Sequence, residues 1–467
     1  MKTCPSCQAE VVDEAKFCNK CGFNIKASEE QDAFCIECGA RLQRDSMFCI
    51  ECGKKQPQSE SALNGFDFSS MEKEAEKQLD EEIKARVRES SEIVDGVLLK
   101  YHGDDTRIVI PDEIKKIGQE AFAHNKRITD VIITDGVLSV GISAFLACDN
   151  LASVTMTNSV TSIEACAFCC CFNLKSIKLS SSIKAMECAV FSACSSLEEV
   201  FIPASVTRIE SRAFSGCDSL KKVNIPMLTT EIEGSAFNGC KSLKSIEIPN
   251  GVSRIGPSAF EGCSSLEEIT IPINITAIEN KLFCGCTSLK KVNLPYGLKE
   301  IKDYAFSKCY SLNQISLPQG LTRLGDLVFK FCNEIKSIRI PKYVNNICLN
   351  NAFMDCVGLE EIIVDEGNES YISVDGCLCQ ASYPRLYLIC YPMGRKDECF
   401  EVPKEITYLM SYAFNQAQNL VSVKFTNPNI ELYQKNVFYK CEKLRTVYVP
   451  KGSSIKNIPE NLEIIEY

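Results

Sequence analysis

The apolar positions of this chain fall into two unlike patterns. Over 71–90, Met71, Ala75, Leu79, Ile83 and Val87 recur every fourth residue among charged neighbours. That spacing predicts a helix with one narrow apolar stripe. Asp80 with Lys84 and Glu82 with Arg86 add favourable i,i+4 pairs. Such a stripe suits docking on a neighbour, pairing with another copy, or a solvated spacer. From Glu92 onward the pattern shortens to an alternation of two. In "SLKKVNIP", Ser219–Pro226, Val223 and Ile225 point inward while Lys222 and Asn224 point outward. Val200 and Ile202, Ile246 and Ile248, and Ile269 and Ile271 repeat the motif. A proline closes each run, because it has no N–H to give a ladder.

These short strands recur with a fixed period. Phe122, Phe145, Phe168, Phe191, Phe214, Phe237, Phe260, Phe283, Phe306 and Phe329 stand 23 residues apart, and Phe353 follows after 24. A period in this range predicts a solenoid, in which stacked turns bury an apolar side that no turn buries alone. Cysteine follows the phenylalanine by three residues at Cys148, Cys171, Cys194, Cys217, Cys240, Cys263, Cys286, Cys309, Cys332, Cys356 and Cys441. Cysteine packs as a small hydrophobe, so this column is expected inside. The triplet in "AFCCCFNLKSIKL" is thereby resolved: Cys171 is the repeat's own cysteine, and Cys169 and Cys170 are extras. A metal at the triplet is not expected, since it has neither C-x-x-C spacing nor a nearby histidine. The period breaks between Phe353 and Phe414. The segment from about 362 to 402 shares Val-Asp-Gly with the start of the repeats near Val94, and both read as hairpin-type turns that begin a fresh stack.

The repeat, as in "AFEGCSSLEEITIPINITAI" (Ala259–Ile278), resembles the BspA-type leucine-rich repeat over 92–467. The resemblance implies a mainly β solenoid with short turns or 3-10 segments. It also implies a role in binding proteins or cells, often at a surface.

Four C-x-x-C pairs precede the repeats: Cys4/Cys7, Cys18/Cys21, Cys35/Cys38 and Cys49/Cys52. Ten residues separate the pairs within each half, and glycine follows three of the four. Zinc takes four such thiolates in a tetrahedron, and glycine behind the turn relieves the backbone. Two zinc ions are expected, one in 1–26 and one in 27–55. Cross-pairing of Cys18/Cys21 with Cys35/Cys38, thirteen residues apart, is the weaker alternative. This stretch resembles the zinc-ribbon family in its double form, although "CPSCQ" lacks the glycine. The remaining boundaries are a linker over 56–91 holding the helix at about 71–90, then the solenoid over 92–467.

Composition narrows the function. Net charge is −10, and residues 1–55 carry nearly balanced charges, which argues against a phosphate-binding footprint. No run reaches membrane-span length, and the first residues show no apolar leader. The expected location is the cytosol, with the cell surface by an unrecognised route as the alternative. Two histidines and no phosphate loop or nucleophile elbow give no sign of an enzyme. The expectation is a protein-binding scaffold, with the ribbons as a second interaction module. An adhesin-like surface protein comes next, and nucleic-acid binding through the ribbons third. The outward strand positions Lys178, Glu199, Phe201, Lys222, Asn224, Glu247, Thr270, Lys291, Asn293 and Arg339 are the expected binding face, with Phe201 foremost.

Overall fold

A computed structural model describes residues 2–3, 10–11, 68–347, 352–453 and 455–467. The chain divides into two compact units, Met1–Leu79 and Asp80–Tyr467. In the first, strands Lys2–Thr3 and Glu10–Val11 pair antiparallel, Lys2 opposite Val11 and Thr3 opposite Glu10. Cys4 and Cys7 belong to the connection between them.

The second unit is a β-solenoid of about 15 turns. Its register equals its period: Ser153 pairs with Ser176, Ser176 with Glu199 and Glu199 with Lys222, all parallel. A second row of two-residue strands runs beside the first, as in Arg208, Glu231 and Arg254. A third row of hydrogen bonds ties the bends. From Phe122 to Phe329, each repeat phenylalanine donates its N–H to the carbonyl of the residue preceding the next phenylalanine, as from Phe145 to Ala167 at 2.8 Å and from Phe237 to Ala259 at 2.8 Å. Short strands thus leave few backbone groups without a partner in the neighbouring turn. The first row is not continuous. Strand pairing lapses at Ser245–Ile248, although Ile246 stays buried and Ile248 packs on the core.

The phenylalanines form one stack. From Phe122 to Phe353, successive rings lie 4.9–5.7 Å apart with interplanar angles of 4–19°. All of them are buried. From Phe122 to Phe329 the chain reverses on both sides of each ring, with left-handed backbone two residues before and two after. Glycine fills the later position at Gly216, Gly239, Gly262 and Gly285, with φ of 73–77°, where a side chain would be strained.

Both stack starts have the same form. A hairpin of Ser91–Val94 and Val97–Tyr101 turns through Asp95 and Gly96 at φ 49° and 76°. A second, of Tyr371–Val374 and Cys377–Ser382, turns through Asp375 and Gly376 at 48° and 71°. Two adjacent left-handed residues favour a tight two-residue turn with Asp-Gly. Tyr101 then sits on Phe122 at 5.2 Å, and Tyr391 sits on Phe414 at 5.1 Å. Tyrosine opens each stack because its ring joins the column while its hydroxyl reaches a carboxylate, Asp105 at 2.9 Å or Asp397 at 3.0 Å.

Helix α1 spans Phe68–Glu89. Of its apolar stripe, Ile83 and Val87 are buried in the solenoid core, while Ala75 and Leu79 are exposed. Lys84–Asp112, Arg86–Asp105 and Arg88–Glu113 ion pairs hold its last turns to the first repeat. The end of the helix therefore covers the open edge that a first turn exposes.

Candidate functional site

The described residues bear on three sets of side chains: the cysteine column, the strand face and the proline corner.

The column is more than packing. Each thiol from Cys148 to Cys356 donates to the carbonyl of the phenylalanine in the preceding turn, at 2.9–3.3 Å. Cys441 does the same to Phe414 at 2.8 Å. Sequence reasoning found the column but treated the thiol as an apolar filler. The donated bond depends on backbone placement that no periodic pattern reports. Burial pushes these thiols up, Cys263 to about 12, except that at Cys171 the hydrogen bond with the Cys194 thiol is the larger cause. A thiol held protonated is a poor nucleophile and a poor metal ligand, so the column is structural. Among the described residues, no cluster of three or more His, Cys, Asp or Glu side chains is arranged to hold a metal. The eight C-x-x-C cysteines lie outside the described residues.

On the strand face, Lys178, Glu199, Lys222, Glu247, Thr270, Asn293 and Arg339 are exposed, and Phe201, Asn224 and Lys291 are half-buried. Several of these side chains already serve the neighbouring turn. Asn224 donates to and accepts from the backbone of Ile202 at 2.9 and 2.8 Å. Asn293 donates to Thr270 at 2.9 Å. Arg339 pairs with Asp365 at 2.9 Å. Beside them, Lys221–Glu198 and Lys290–Glu267 bridge successive turns. Much of the polarity of this face thus links the solenoid to itself.

The proline corner is different. Each strand-ending proline carbonyl accepts the N–H three residues on, as from Thr229 to Pro226 at 2.9 Å, Ile275 to Pro272 at 3.1 Å and Leu298 to Pro295 at 3.2 Å. The two residues between form the apex. Over six consecutive turns, these apices carry Met227 and Leu228, then Asn250, Ile273, Tyr296, Gln319 and Tyr343. Met227 is 79% exposed and Tyr296 78% exposed, with Leu228, Ile273 and Tyr343 also above half. The apices are adjacent, since Asn274 donates to the Asn250 carbonyl at 2.9 Å. In the turns nearer the N-terminus the same apices are the small or polar Asp112–Glu113, Asp135–Gly136, Asn158–Ser159, Ser181–Ser182 and Ala204–Ser205. The sequence carried this signal, as large apolar residues directly after proline where turn residues are normally polar. It was hidden by the attention that the alternating strands draw.

The family match agrees with this geometry. Residues 115–244, 230–360 and 395–462 match the BspA type leucine rich repeat region. The chain belongs to this family. The gap in the match, between 360 and 395, is where the second Asp-Gly hairpin restarts this BspA-type solenoid. Residues 4–53 match the double zinc ribbon family, which implies zinc binding by the cysteine pairs. Among solved structures, a leucine-rich repeat protein from Bacteroides ovatus is 23% identical, over 73% of this chain and 92% of that one, with a TM-score of 0.50. One from Eubacterium ventriosum is 20% identical over 80% and 89%, with a TM-score of 0.41. A leucine rich cell surface protein from Faecalibacterium prausnitzii is 23% identical over 79% and 90%, with a TM-score of 0.32. No curated protein matches the chain. Leucine-rich repeat solenoid proteins are generally interaction or adhesin-like scaffolds.

Proposed function

We propose that this chain is a non-enzymatic scaffold that holds one protein partner along the proline corner of its solenoid and a second through its zinc ribbons. The observation that carries the first half is the confinement of large exposed apolar apices to the turns from Met227 to Tyr343. A turn apex needs no large apolar side chain, and the early repeats use small or polar ones. Six turns make five steps of about 4.8 Å, so the ridge is about 24 Å long. It fits a partner segment of that length with apolar side chains along one edge, such as a helix of about 16 residues.

The ribbon half rests on the double zinc ribbon match and on the antiparallel pairing that brackets Cys4 and Cys7. Cys4, Cys7, Cys18 and Cys21 hold one zinc in this reading, and Cys35, Cys38, Cys49 and Cys52 the other. Two complete thiolate shells leave no open coordination position, so the metal shapes a surface. The working location is the cytosol, which keeps such thiols reduced.

The test is quantitative co-purification with the full chain, comparing the triple variant Met227→Ser, Tyr296→Ser, Tyr343→Ser with a strand-face control, Lys222→Glu with Glu247→Lys. The expected result is loss of a specific partner by about tenfold or more for the corner variant, with the control unchanged and both variants as heat-stable as the parent. Loss in the control alone would move the partner to the strand face.

A further inference from the structure

Four thiols outside the buried column crowd the bends of two adjacent turns. Cys166, Cys169 and Cys170 belong to the turn of Phe168, and Cys188 to the next. Cys166 donates its N–H to the Cys188 carbonyl at 3.0 Å. The backbone is left-handed at Cys166 and at Cys170, with φ of 56° and 61°, the two reversal points that flank the ring. At the second reversal the Cys169 and Cys170 sulfurs come to 3.5 Å. Both are part-exposed, whereas Cys171 beside them is fully buried and donates to Phe145. The pairing is particular to this turn. Cys284 occupies the position of Cys169 in a later turn, but Gly285 follows it.

We propose that Cys169 and Cys170 form a redox-active dithiol, which a hydroperoxide converts to a vicinal disulfide. Either sulfur can begin the reaction, with the same balance of bonds and protons. In one order the Cys170 sulfur attacks the outer oxygen of the peroxide and the O–O bond breaks. This gives the sulfenic acid, while the alcohol, or water from hydrogen peroxide, leaves with the thiol proton. The Cys169 sulfur then attacks the Cys170 sulfur and expels hydroxide, which takes the second thiol proton to become water. Two thiols and one hydroperoxide thus give one disulfide, one alcohol and one water. A disulfide requires the sulfurs to close from 3.5 Å to about 2.05 Å. The closure pulls on two inter-turn bonds, from Cys170 to Ser192 and from Ala147 to Cys169, both 2.8 Å. Oxidation is therefore reported to the neighbouring turns.

The experiment treats the reduced full chain with about one equivalent of hydrogen peroxide, then denatures and alkylates it. Chymotrypsin releases Cys169–Phe172, between Phe168 and Phe172. The expected peptide carries an alkyl label on Cys171 only, is lighter by two hydrogens, and regains all three labels after dithiothreitol. Cys169→Ser is the second variant. It removes the bridge and leaves a Cys170 sulfenic acid that dimedone traps. A fully labelled peptide beside a Cys166–Cys188 cross-link would overturn the proposal, as would Cys170 sulfinic acid with no bridged form in the parent.

Discussion

Raising the pH should weaken this solenoid from within. Ten column thiols, Cys148 to Cys356, are buried to within 1% of full burial, and each donates to a phenylalanine carbonyl. Burial raises them in the folded state, Cys263 to about 12, against about 8.5 in an unfolded chain. Their contribution to stability is therefore complete below about pH 8.5 and is lost as the pH climbs toward the folded value. Above pH 8.5 the unfolded chain releases protons that the folded chain keeps, so each thiol costs about 1.4 kcal/mol per pH unit. Repeat arrays lose cooperativity over long distances, so the block that unfolds together sets the total. A block of three turns loses about 3 kcal/mol between pH 8.5 and 9.5, because the unfolded thiols are only half ionised at the start and reach the full slope above it. The assay is urea unfolding at pH 7.5, 8.5 and 9.5, followed by circular dichroism. The control is Cys240→Ser with Cys263→Ser and Cys286→Ser, which keeps a donor for each carbonyl and removes the titration. The control should recover most of the alkaline loss. An identical pH dependence in parent and control would refute the reasoning.

Three further outcomes follow from the same geometry. Phe260→Ala removes a ring from the middle of the stack and should cost about 3–5 kcal/mol, read as lost hydrogen-exchange protection in the turns of Phe237 and Phe283. Lys308→Gly should stabilise by about 1 kcal/mol, because Lys308 is exposed and left-handed at φ 62° where four other turns use glycine; a drop in melting temperature would contradict it. Native mass spectrometry should find two zinc ions per chain, and Cys35→Ser with Cys38→Ser should leave one; an unchanged count would reassign the ligands.

The inward half of the fold was legible because it is periodic. A 23-residue recurrence of phenylalanine, with cysteine three residues on, fixes which side chains meet, and parallel pairing in that register follows. The shared Val-Asp-Gly showed that the stack begins twice, since Asp-Gly favours the tight turn each hairpin needs. What was not legible depends on backbone geometry. Left-handed residues on both sides of each ring are hinted at only where glycine appears, and Lys308 and Cys170 occupy the same position unannounced. Ser180 sits fully buried where other turns place proline, and it donates to the Val160 carbonyl at 2.6 Å. The strand face looked like a recognition surface because its residues vary. Variation alone did not reveal that Asn224 and Arg339 are engaged by adjacent turns, nor that the apolar exposure lies round the corner.

The most direct test of the docking account places a photo-crosslinking residue at Tyr296 in one full-length chain and at Lys222 in another, each expressed in the protein's own cells. The account predicts a discrete protein adduct from position 296 and none from position 222. Adducts from 222 with none from 296 would contradict it and return the partner to the strand face.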